Sequence, residues 1–314
     1  MTSRLVVMAH FDVEGEVAPH VRRHIEAWNG FAKRLIVVTT STLTEESRSW
    51  LTKRVDLIQR HNYGYDFVSY QLGLAEAGDL TNYDEVVICN DSFVGPLRPY
   101  ERIFAEMDKV KVDFWGLTAS LRNAPHVQSF FVVFRPWLVR SETFTRFWSE
   151  LTPLADRKQV IHRYEVGLST TLTDAGFVAG SYFTENARDE VVARRRIRWW
   201  AAHRPPGLSL PSLRSGVLKE RAEESWNPGI DLADRALPDG RLPFVKIDTL
   251  RYDPHGLGAD ALLRHCEKTF PAQFVGVRDF LTRTARHYPR RAQEDLLPTP
   301  PALRPLSKIV EYRR

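Results

Sequence analysis

The first sixty residues alternate short apolar runs with helical segments, and this alternation limits the fold more than any other feature. Apolar runs occupy residues 5–9, 35–38 and 55–58. Between the first two, Val17, Val21, Ile25 and Trp28 recur at helical spacing, and a charged helix is predicted around residues 45–53. Short connections in the order β-α-β-α-β imply a parallel sheet that helices cover on both faces. The sequence therefore predicts an α/β fold of the Rossmann type with a mostly parallel sheet.

A further strand is predicted inside residues 83–96, where a β-branched run ends in Asn90, Asp91 and Ser92, and residues 126–134 are predicted as another strand. Open α/β sheets bind ligands in the crevice at the carboxyl ends of their strands. A carboxylate there, flanked by an amide and a hydroxyl, suits a hard divalent cation that bridges two phosphates. An ordinary turn is the alternative, because these residue types also close loops.

Two other strands end in polar residues that are candidates for the same site. His10 and Asp12 follow the first strand, where a base or ribose would lie, and a satisfied polar strand end is the alternative for His10. Asn62, Gly64 and Asp66 stand between the third strand and a helix whose inner face is predicted to carry Tyr70. Gly64 permits close backbone approach, whereas Asp66 is expected either to cap the helix or to contact a nucleoside hydroxyl.

The length, composition, cysteine content and net charge of the chain restrict the class of protein. A chain of 314 residues that is 43% hydrophobic can bury a sizeable core, in one α/β domain or in one domain with an extension. Cys89 and Cys266 lie in apolar patterns, which predicts reduced, buried thiols and a cytoplasmic location. We found no apolar run of membrane-spanning length, and the N-terminal run is too short for a signal peptide. The net charge of +5 favours an anionic partner, but no stacking or zinc motif indicates nucleic acid.

The composition of the sequence changes near Glu185. We therefore predict a nucleotide-binding domain at 1–185 and a mainly helical, loop-rich region at 186–314 that completes the donor and acceptor site. Residues 205–211 are predicted as a loop, residues 259–270 and 274–288 as amphipathic helices, and residues 298–305 as an extended tail. Residues 188–198 are dense in charge and precede Trp199 and Trp200. This run is either a solvated helix face or a peripheral contact with an anionic membrane surface.

Several motifs in one order resemble the rhamnan synthesis protein F family over residues 5–255. They are Asn62-x-Gly64-x-Asp66, Asn90-Asp91-Ser92 with Gly95-Pro96, His126-x-Gln128-Ser129-Phe130-Phe131, Tyr164-Glu165 and Pro243-Phe244-Val245-Lys246. The resemblance implies a GT-A-like fold, a nucleoside-diphosphate sugar donor such as dTDP-rhamnose, and a glycan or lipid-linked acceptor of bacterial surface polysaccharide. Only Asp91 of its tripeptide is acidic, which departs from the usual metal motif. Either Mg²⁺ or Mn²⁺ on Asp91 or cationic side chains alone would then neutralise the diphosphate.

The resemblance also assigns roles on the acceptor side. Glu165 is the candidate base for the acceptor hydroxyl, since inverting enzymes of this class place an acid at about this point. A glutamate favoured by the dipole of a first helical turn is the alternative. His126 is a second candidate base, and Gln128 and Ser129 are candidates for hydrogen bonds to sugar hydroxyls. Lys246 is expected either to bind the diphosphate or to be a surface lysine.

Two functions from different classes follow. In the first, the chain is an inverting glycosyltransferase in which Glu165 activates the acceptor and Asp91 assists departure of the diphosphate. In the second, it is a nucleotide- or glycan-binding module that does not turn over, which the single acid at the metal position favours.

Overall fold

The computed structural model describes residues 2–204, 225–237, 240–289, 296–299 and 304–313. The predicted loop at 205–211 and residues 300–303 of the predicted tail lie outside the described residues. The chain forms two compact units. The first comprises Met1–Ser92, Arg98–Ala119 and Asn123–Tyr182, and the second comprises Phe93–Leu97, Ser120–Arg122 and the described part of Phe183–Arg314. The functional division at residue 185 stays a prediction.

A seven-stranded sheet forms the centre of the first unit, in the order β10-β6-β9-β4-β1-β2-β3. Its strands are β1 (Arg4–His10), β2 (Arg34–Thr39), β3 (Asp56–Gln59), β4 (Glu85–Asn90), β6 (Phe114–Gly116), β9 (Phe131–Phe134) and β10 (Ala179–Ser181). Only the contacts of β9 with β4 and β6 are antiparallel within this sheet. The predicted mostly parallel sheet is therefore confirmed. Residues 126–134, predicted as one strand, instead form β8 (His126–Val127) and β9, and the short strand β7 (Ala119–Ser120) precedes them.

Helices cover both faces of this sheet because successive strand residues point to opposite faces and are apolar on each face. On one face, Val7 belongs to a core cluster that includes Phe67 and Trp148. On the other face, Trp28 stacks on Tyr100, with ring centroids 3.9 Å apart, and on Phe131 at 5.8 Å. The helices of this unit are α1 (Pro19–Asn29), α2 (Glu45–Thr52), α3 (Tyr65–Glu76), α4 (Tyr100–Met107), α5 (Pro136–Val139), α6 (Glu142–Ser149), α7 (Arg157–Val160) and α8 (Gly167–Asp174), with a 3-10 turn at Leu80–Asn82 and a π-helical turn at Ile161–Val166.

The second unit is mainly helical, as predicted for the C-terminal part of the chain. Its helices are α9 (Ala187–His203), α10 (Pro228–Asp231), α11 (Ile247–Tyr252), α12 (Ala259–Thr269), α13 (Pro271–Phe274), α14 (Val277–Thr284) and α15 (Arg304–Val310), with 3-10 turns at Ala233–Ala236 and Ala285–His287. Strand β5 (Phe93–Val94) pairs antiparallel with β11 (Val245–Lys246). The helix that was predicted at 274–288 is interrupted, because Gly276, with φ +78°, caps the N-terminus of a separate helix.

The basic run in α9 is not the uniformly solvated face that its composition indicates. Arg194, Arg195 and Arg198 are exposed, but Arg196 is 1% exposed and forms a bidentate ion pair with buried Asp234. Trp200, which was a candidate for membrane contact, is also buried. Within the part of the chain that the structure describes, none of the helices has the length and apolar character needed to cross a membrane.

Candidate active site

The first group of candidate residues lies where the strand order reverses. From β1 the chain continues to β2 and β3 on one side, and then to β4 on the other side. Ala9 is opposite Asn90 in the parallel register, so the chain leaves both strands at the same edge. There the backbone N–H of Phe11 donates a 2.7 Å hydrogen bond to Asp91 Oδ2. Asp91 is thus held across a topological switch point, where open α/β sheets bind ligands.

The Asp91 carboxyl is short of positive charge. Its pKa is raised to about 8, mainly by burial and also by the nearby carboxylates of Asp66 and Asp12, whereas the bond from Phe11 N–H acts in the opposite direction. Three acids in one region repel one another unless a proton or a cation is present. This edge of the sheet is therefore prepared for a positively charged group.

Asn90 joins two of the predicted elements. Its Nδ2 donates to Asp66 Oδ2 at 2.8 Å, and its Oδ1 accepts from the backbone N–H of Ser92 at 3.1 Å and from Ser92 Oγ at 2.7 Å. The predicted orienting role of Asn90 and Ser92 thus takes the form of an Asx turn directly after β4. The turn fixes the direction in which the chain leaves the strand at Asp91.

Asp66 does not cap α3, contrary to one of the two expectations for it. The N-cap position is Gly64, and both Gly64 (φ +70°) and Tyr65 (φ +56°) have left-handed backbone conformations. A Cβ on Gly64 would lie 2.4 Å from Val68 Cγ2, so the glycine is required for close packing as well as for its φ. Asp66 therefore falls in the first helical turn, where it meets Asn90.

Arg60 organises the loop between β3 and α3, a role that the sequence did not indicate. Its guanidinium donates to the carbonyl oxygens of His61 (2.9 Å), Tyr63 (2.5 Å) and Tyr65 (2.7 Å), and to Ser69 Oγ (3.0 and 2.9 Å). One side chain thus satisfies three backbone carbonyls of a tight loop. The loop carrying the predicted glycine motif is consequently held in one conformation.

His10 and Asp12 are tied to the end of β2. His10 Nδ1 is hydrogen-bonded to Thr39 Oγ1 at 2.9 Å, and the backbone N–H of Asp12 donates to Ser41 Oγ at 2.6 Å. Burial lowers the pKa of His10 to about 4, so its imidazole is neutral at pH 7. Asp12 Oδ1 accepts from the backbone N–H of Glu14 and lies near Asp91. The geometry favours a structural role for His10 and leaves Asp12 at the switch point.

The second group of candidates surrounds Glu165, which lies in the π-helical turn and not in a first helical turn. Helical structure already begins at Arg157, so the dipole explanation for this glutamate is wrong. Ser129 donates to Glu165 Oε2 through both Oγ and the backbone N–H, the latter at 3.2 Å. His126 Nε2 lies 3.5 Å from Glu165 Oε1, and its Nδ1–H donates to the carbonyl of Ala124.

These contacts pair the Glu165 carboxylate with the His126 imidazole. Burial alone would raise the pKa of Glu165, but hydrogen bonds from His126 and Ser129 outweigh it and the pKa is lowered. Burial lowers the pKa of His126, but the contacts with Glu165 and Ala124 outweigh it and that pKa is raised. Glu165 is therefore ionised and oriented, and π-helical turns often occur where a side chain is placed for function.

Tyr70, which sequence analysis assigned only to the inner face of α3, lies between the two groups. Its hydroxyl donates to the Ser129 carbonyl at 3.1 Å. Burial raises its pKa well above 10, and the charges of Asp66, Asp91 and Glu165 raise it further. Charges from both groups act on the pKa of the Tyr70 hydroxyl, so the two groups are neighbours within the first unit.

Two other predicted residues of the first unit, Gln128 and Asn62, are not brought into this cluster. Gln128 is buried, and its Oε1 accepts from Thr118 Oγ1 at 2.7 Å, which fixes the amide in the protein. Asn62 is exposed in the loop before α3. Lys246 belongs to the second unit, in β11 opposite Phe93. Its contact with a diphosphate stays a prediction.

The donor set is suited to a divalent cation only in part. The acidic surroundings of Asp91 are what a cation would relieve, and Asp91 supplies a carboxylate oxygen. Among the described residues, however, no group of three or more His, Cys, Asp or Glu side chains is arranged to hold a metal ion. Mg²⁺ often binds through one or two carboxylates together with substrate phosphates. The residues therefore suit a cation that the substrate helps to hold.

The strand order and the polar groups at the switch point define a protein of the open α/β class, with a mostly parallel sheet. The profile of the rhamnan synthesis protein F family matches residues 35–204, more than half of the chain. The chain belongs to the rhamnan synthesis protein F family. This result confirms the family that the sequence motifs indicated.

Individual relatives are more distant. Over 140 residues the chain is 29% identical to virulence protein VirA of Vibrio anguillarum, which covers 43% of this chain and 44% of VirA. Over 155 residues it is 24% identical to protein y4gN of Sinorhizobium fredii, which covers 48% of this chain and 40% of y4gN. The chain thus matches less than half the length of these curated relatives.

Solved structures overlap with the chain at low identity. Glucosyl-3-phosphoglycerate synthase from Mycobacterium tuberculosis is 12% identical, with a TM-score of 0.38, over 73% of this chain and 82% of the synthase. A cytidylyltransferase from Leptospira borgpetersenii is 10% identical, with a TM-score of 0.35, over 63% of this chain and 87% of the cytidylyltransferase. At these TM-scores the overlaps add nothing to what the strand order already shows.

Proposed function

We propose that the chain is a glycosyltransferase that moves a sugar from a nucleoside-diphosphate donor to an acceptor hydroxyl. The observation that carries this proposal is the 2.7 Å hydrogen bond between Phe11 N–H and Asp91 Oδ2 across the switch point. It holds a carboxylate in the crevice where a nucleotide is expected. The ion-paired Glu165 in the same unit supplies the second group that such a transfer needs.

On the donor side, the protein has to neutralise the charge that develops on the departing diphosphate. A divalent cation held by Asp91 would supply Lewis-acid stabilisation of that leaving group. The chain itself orients Asp91 through Phe11 and sets the exit from β4 through the Asn90–Ser92 turn. Asp12 and Asp66 keep this region acidic, which favours a cation over a bare anion.

On the acceptor side, a base has to receive the proton of the attacking hydroxyl. Glu165 is ionised, as a general base must be, and Ser129 holds its Oε2 in place. The hydrogen bond from His126 lowers the pKa of Glu165 and so favours the carboxylate in its half-buried position. Attack from the face opposite the diphosphate gives inversion through an oxocarbenium-like transition state.

Membership of the rhamnan synthesis protein F family supports rhamnose as the transferred sugar, dTDP-rhamnose as the donor, and a bacterial surface glycan or its lipid-linked precursor as the acceptor. The geometry of the site does not distinguish among nucleotide sugars, because the groups at the strand ends would contact the diphosphate that all of them share. The net charge of +5 agrees with an anionic substrate.

A non-catalytic nucleotide- or glycan-binding module is the second candidate. The observation that favours it is that both oxygens of Glu165 are already engaged, Oε2 by Ser129 and Oε1 by His126. A base that gives up two partners to take a proton is weaker than a free one. In this module Asp91 would still hold a ligand, but no sugar would be transferred.

Release of dTDP from dTDP-rhamnose and from a panel of other nucleotide sugars separates the two functions. We expect turnover by the wild type and a large loss in Asp91→Ala. Asp174→Ala, which removes an exposed acid at the end of α8, is the matched control and should keep full activity. Absence of turnover across the panel, or equal turnover in wild type and Asp91→Ala, contradicts the transferase.

A further inference from the structure

A second concave site lies in the second unit, around the first turns of α9. It is a cavity of ≈ 600 Å³, which is within the usual size range of small-molecule sites. Five arginines and one acid give it its charge, and they are Arg188, Arg195, Arg235, Arg241, Arg313 and Asp189.

The single acid in this cavity is already neutralised. Arg235 Nε donates to Asp189 Oδ1 at 2.7 Å, and Arg241 Nη1 donates to Asp189 Oδ2 at 2.7 Å. The nearby Asp234 is fully buried and is bound bidentately by Arg196. The positive charge that lines the cavity is therefore not cancelled by its own acids.

Two arginines of α9 that line the cavity are available to a ligand. Arg188 and Arg195 are both exposed, and within the described residues neither forms an ion pair. They stand seven residues apart on α9, so they lie on one face of the helix, about 10 Å apart along its axis. Arg188 is next to Asp189 in the first turn of α9, and Asp189 is the acid to which Arg241 donates.

The arginine side chains, and not the end of the helix, supply the hydrogen-bond donors. Asn186 Oδ1 already accepts from the backbone N–H groups of Arg188 and Asp189, and Asp189 Oδ2 accepts from the N–H of Asn186. This capping box uses the donors that a helix N-terminus would otherwise offer an anion.

We propose that this cavity binds a phosphoryl group, either of a soluble phosphate ester or of a phospholipid headgroup. A guanidinium presents its N–H groups as a planar fork that matches two phosphate oxygens. Arg235 and Arg241, fixed by Asp189, form the rigid wall of the site, and Arg188 and Arg195 close on the ligand. The proposal does not depend on the transferase function, because every residue in it belongs to the second unit.

The test is calorimetric titration of the full chain with inorganic pyrophosphate. The variant Arg188→Gln/Arg195→Gln removes the two α9 cations that line the cavity, and Arg194→Gln/Arg198→Gln removes two exposed arginines of the same helix that do not line it. Both double variants lose the same charge, and all four positions are exposed, so folding should be preserved. We expect the dissociation constant to rise about tenfold or more in the cavity variant and to stay within about twofold in the control.

Three results overturn the proposal: no pyrophosphate binding by the wild type, equal weakening in both double variants, or no weakening in the cavity variant. Co-sedimentation with vesicles then identifies the source of the phosphoryl group. Loss of binding to phosphatidylcholine–phosphatidylglycerol vesicles in the cavity variant alone, with competition by pyrophosphate, indicates a lipid headgroup. Vesicle binding that is absent, or unchanged in the cavity variant, indicates a soluble phosphate ester.

Discussion

Replacement of Arg196 by alanine should destabilise the second unit severely. The guanidinium uses five hydrogen bonds, two of them to the carboxylate of Asp234 at 2.8 Å each. The other three reach the carbonyl oxygens of Val310 (2.7 Å), Asp231 (2.6 Å) and Glu311 (2.9 Å). Arg196 is 1% exposed, and the Asp234 side chain is completely buried.

The magnitude follows from what the substitution leaves behind. Arg196→Ala leaves a buried carboxylate without its bidentate partner, although Arg235 Nη1 remains 3.8 Å from Asp234 Oδ2, and it removes the donor to three carbonyls. Removal of one partner of a buried ion pair costs about 3–5 kcal/mol. Since domains are stable by about 5–15 kcal/mol, this loss is about a fifth of the total or more. The pKa of Asp234, which hydrogen bonding to Arg196 lowers despite burial, should rise in the variant.

Urea unfolding followed by circular dichroism measures the effect. Arg198→Ala is the matched control, because Arg198 is exposed on the same helix and its loss should change the free energy of unfolding by no more than about 0.5 kcal/mol. If Arg196→Ala costs as little as Arg198→Ala, the buried network does not stabilise the unit and the reasoning is refuted.

Three further predictions concern the first unit. Glu165→Gln should lower the turnover of a nucleotide sugar by about 100- to 10,000-fold with little change in donor affinity, because glutamine keeps the shape but cannot accept the proton; unchanged turnover would exclude Glu165 as the base. Gly64→Ala should lower the free energy of unfolding by about 2 kcal/mol or more, since the new Cβ would lie 2.4 Å from Val68 Cγ2. Gly78→Ala is the control and should lower it by about 1 kcal/mol, because Gly78 has a similar φ but open space around it. Equal losses in urea unfolding would show that packing is not the cause. Asp91→Asn should become more stable relative to wild type as the pH rises from 5 to 8, by up to about 1.4 kcal/mol per pH unit, because a folded-state pKa of about 8 makes ionisation of Asp91 costly in the fold; a difference that is independent of pH would contradict the raised pKa.

The parallel sheet and the polar strand ends could be predicted because they depend on local patterns. β-branched runs set the strands, and helical periodicity between them sets the crossovers. Asn90 and Asp91 follow directly from the end of one such run, so their position at the edge of the sheet needs no knowledge of distant contacts.

What the sequence missed depends on partners far along the chain. Arg196 looked solvated because its neighbours are charged, but its partner Asp234 lies 38 residues away. Tyr70 was assigned to the core correctly, yet its bond to Ser129 crosses 59 residues. The N-terminus of α3 was misplaced because the left-handed conformation of Tyr65, a non-glycine residue, leaves no signal in the sequence.

The most direct measurement is the affinity of dTDP for the wild type, Asp91→Asn and Asp174→Asn, determined by calorimetry with Mn²⁺ present. We expect Asp91→Asn to weaken binding by about tenfold or more, because the carboxylate at the switch point is lost, and Asp174→Asn to bind as the wild type does. Equal affinity in all three proteins would show that the diphosphate does not meet Asp91, and it would contradict the placement of the donor site.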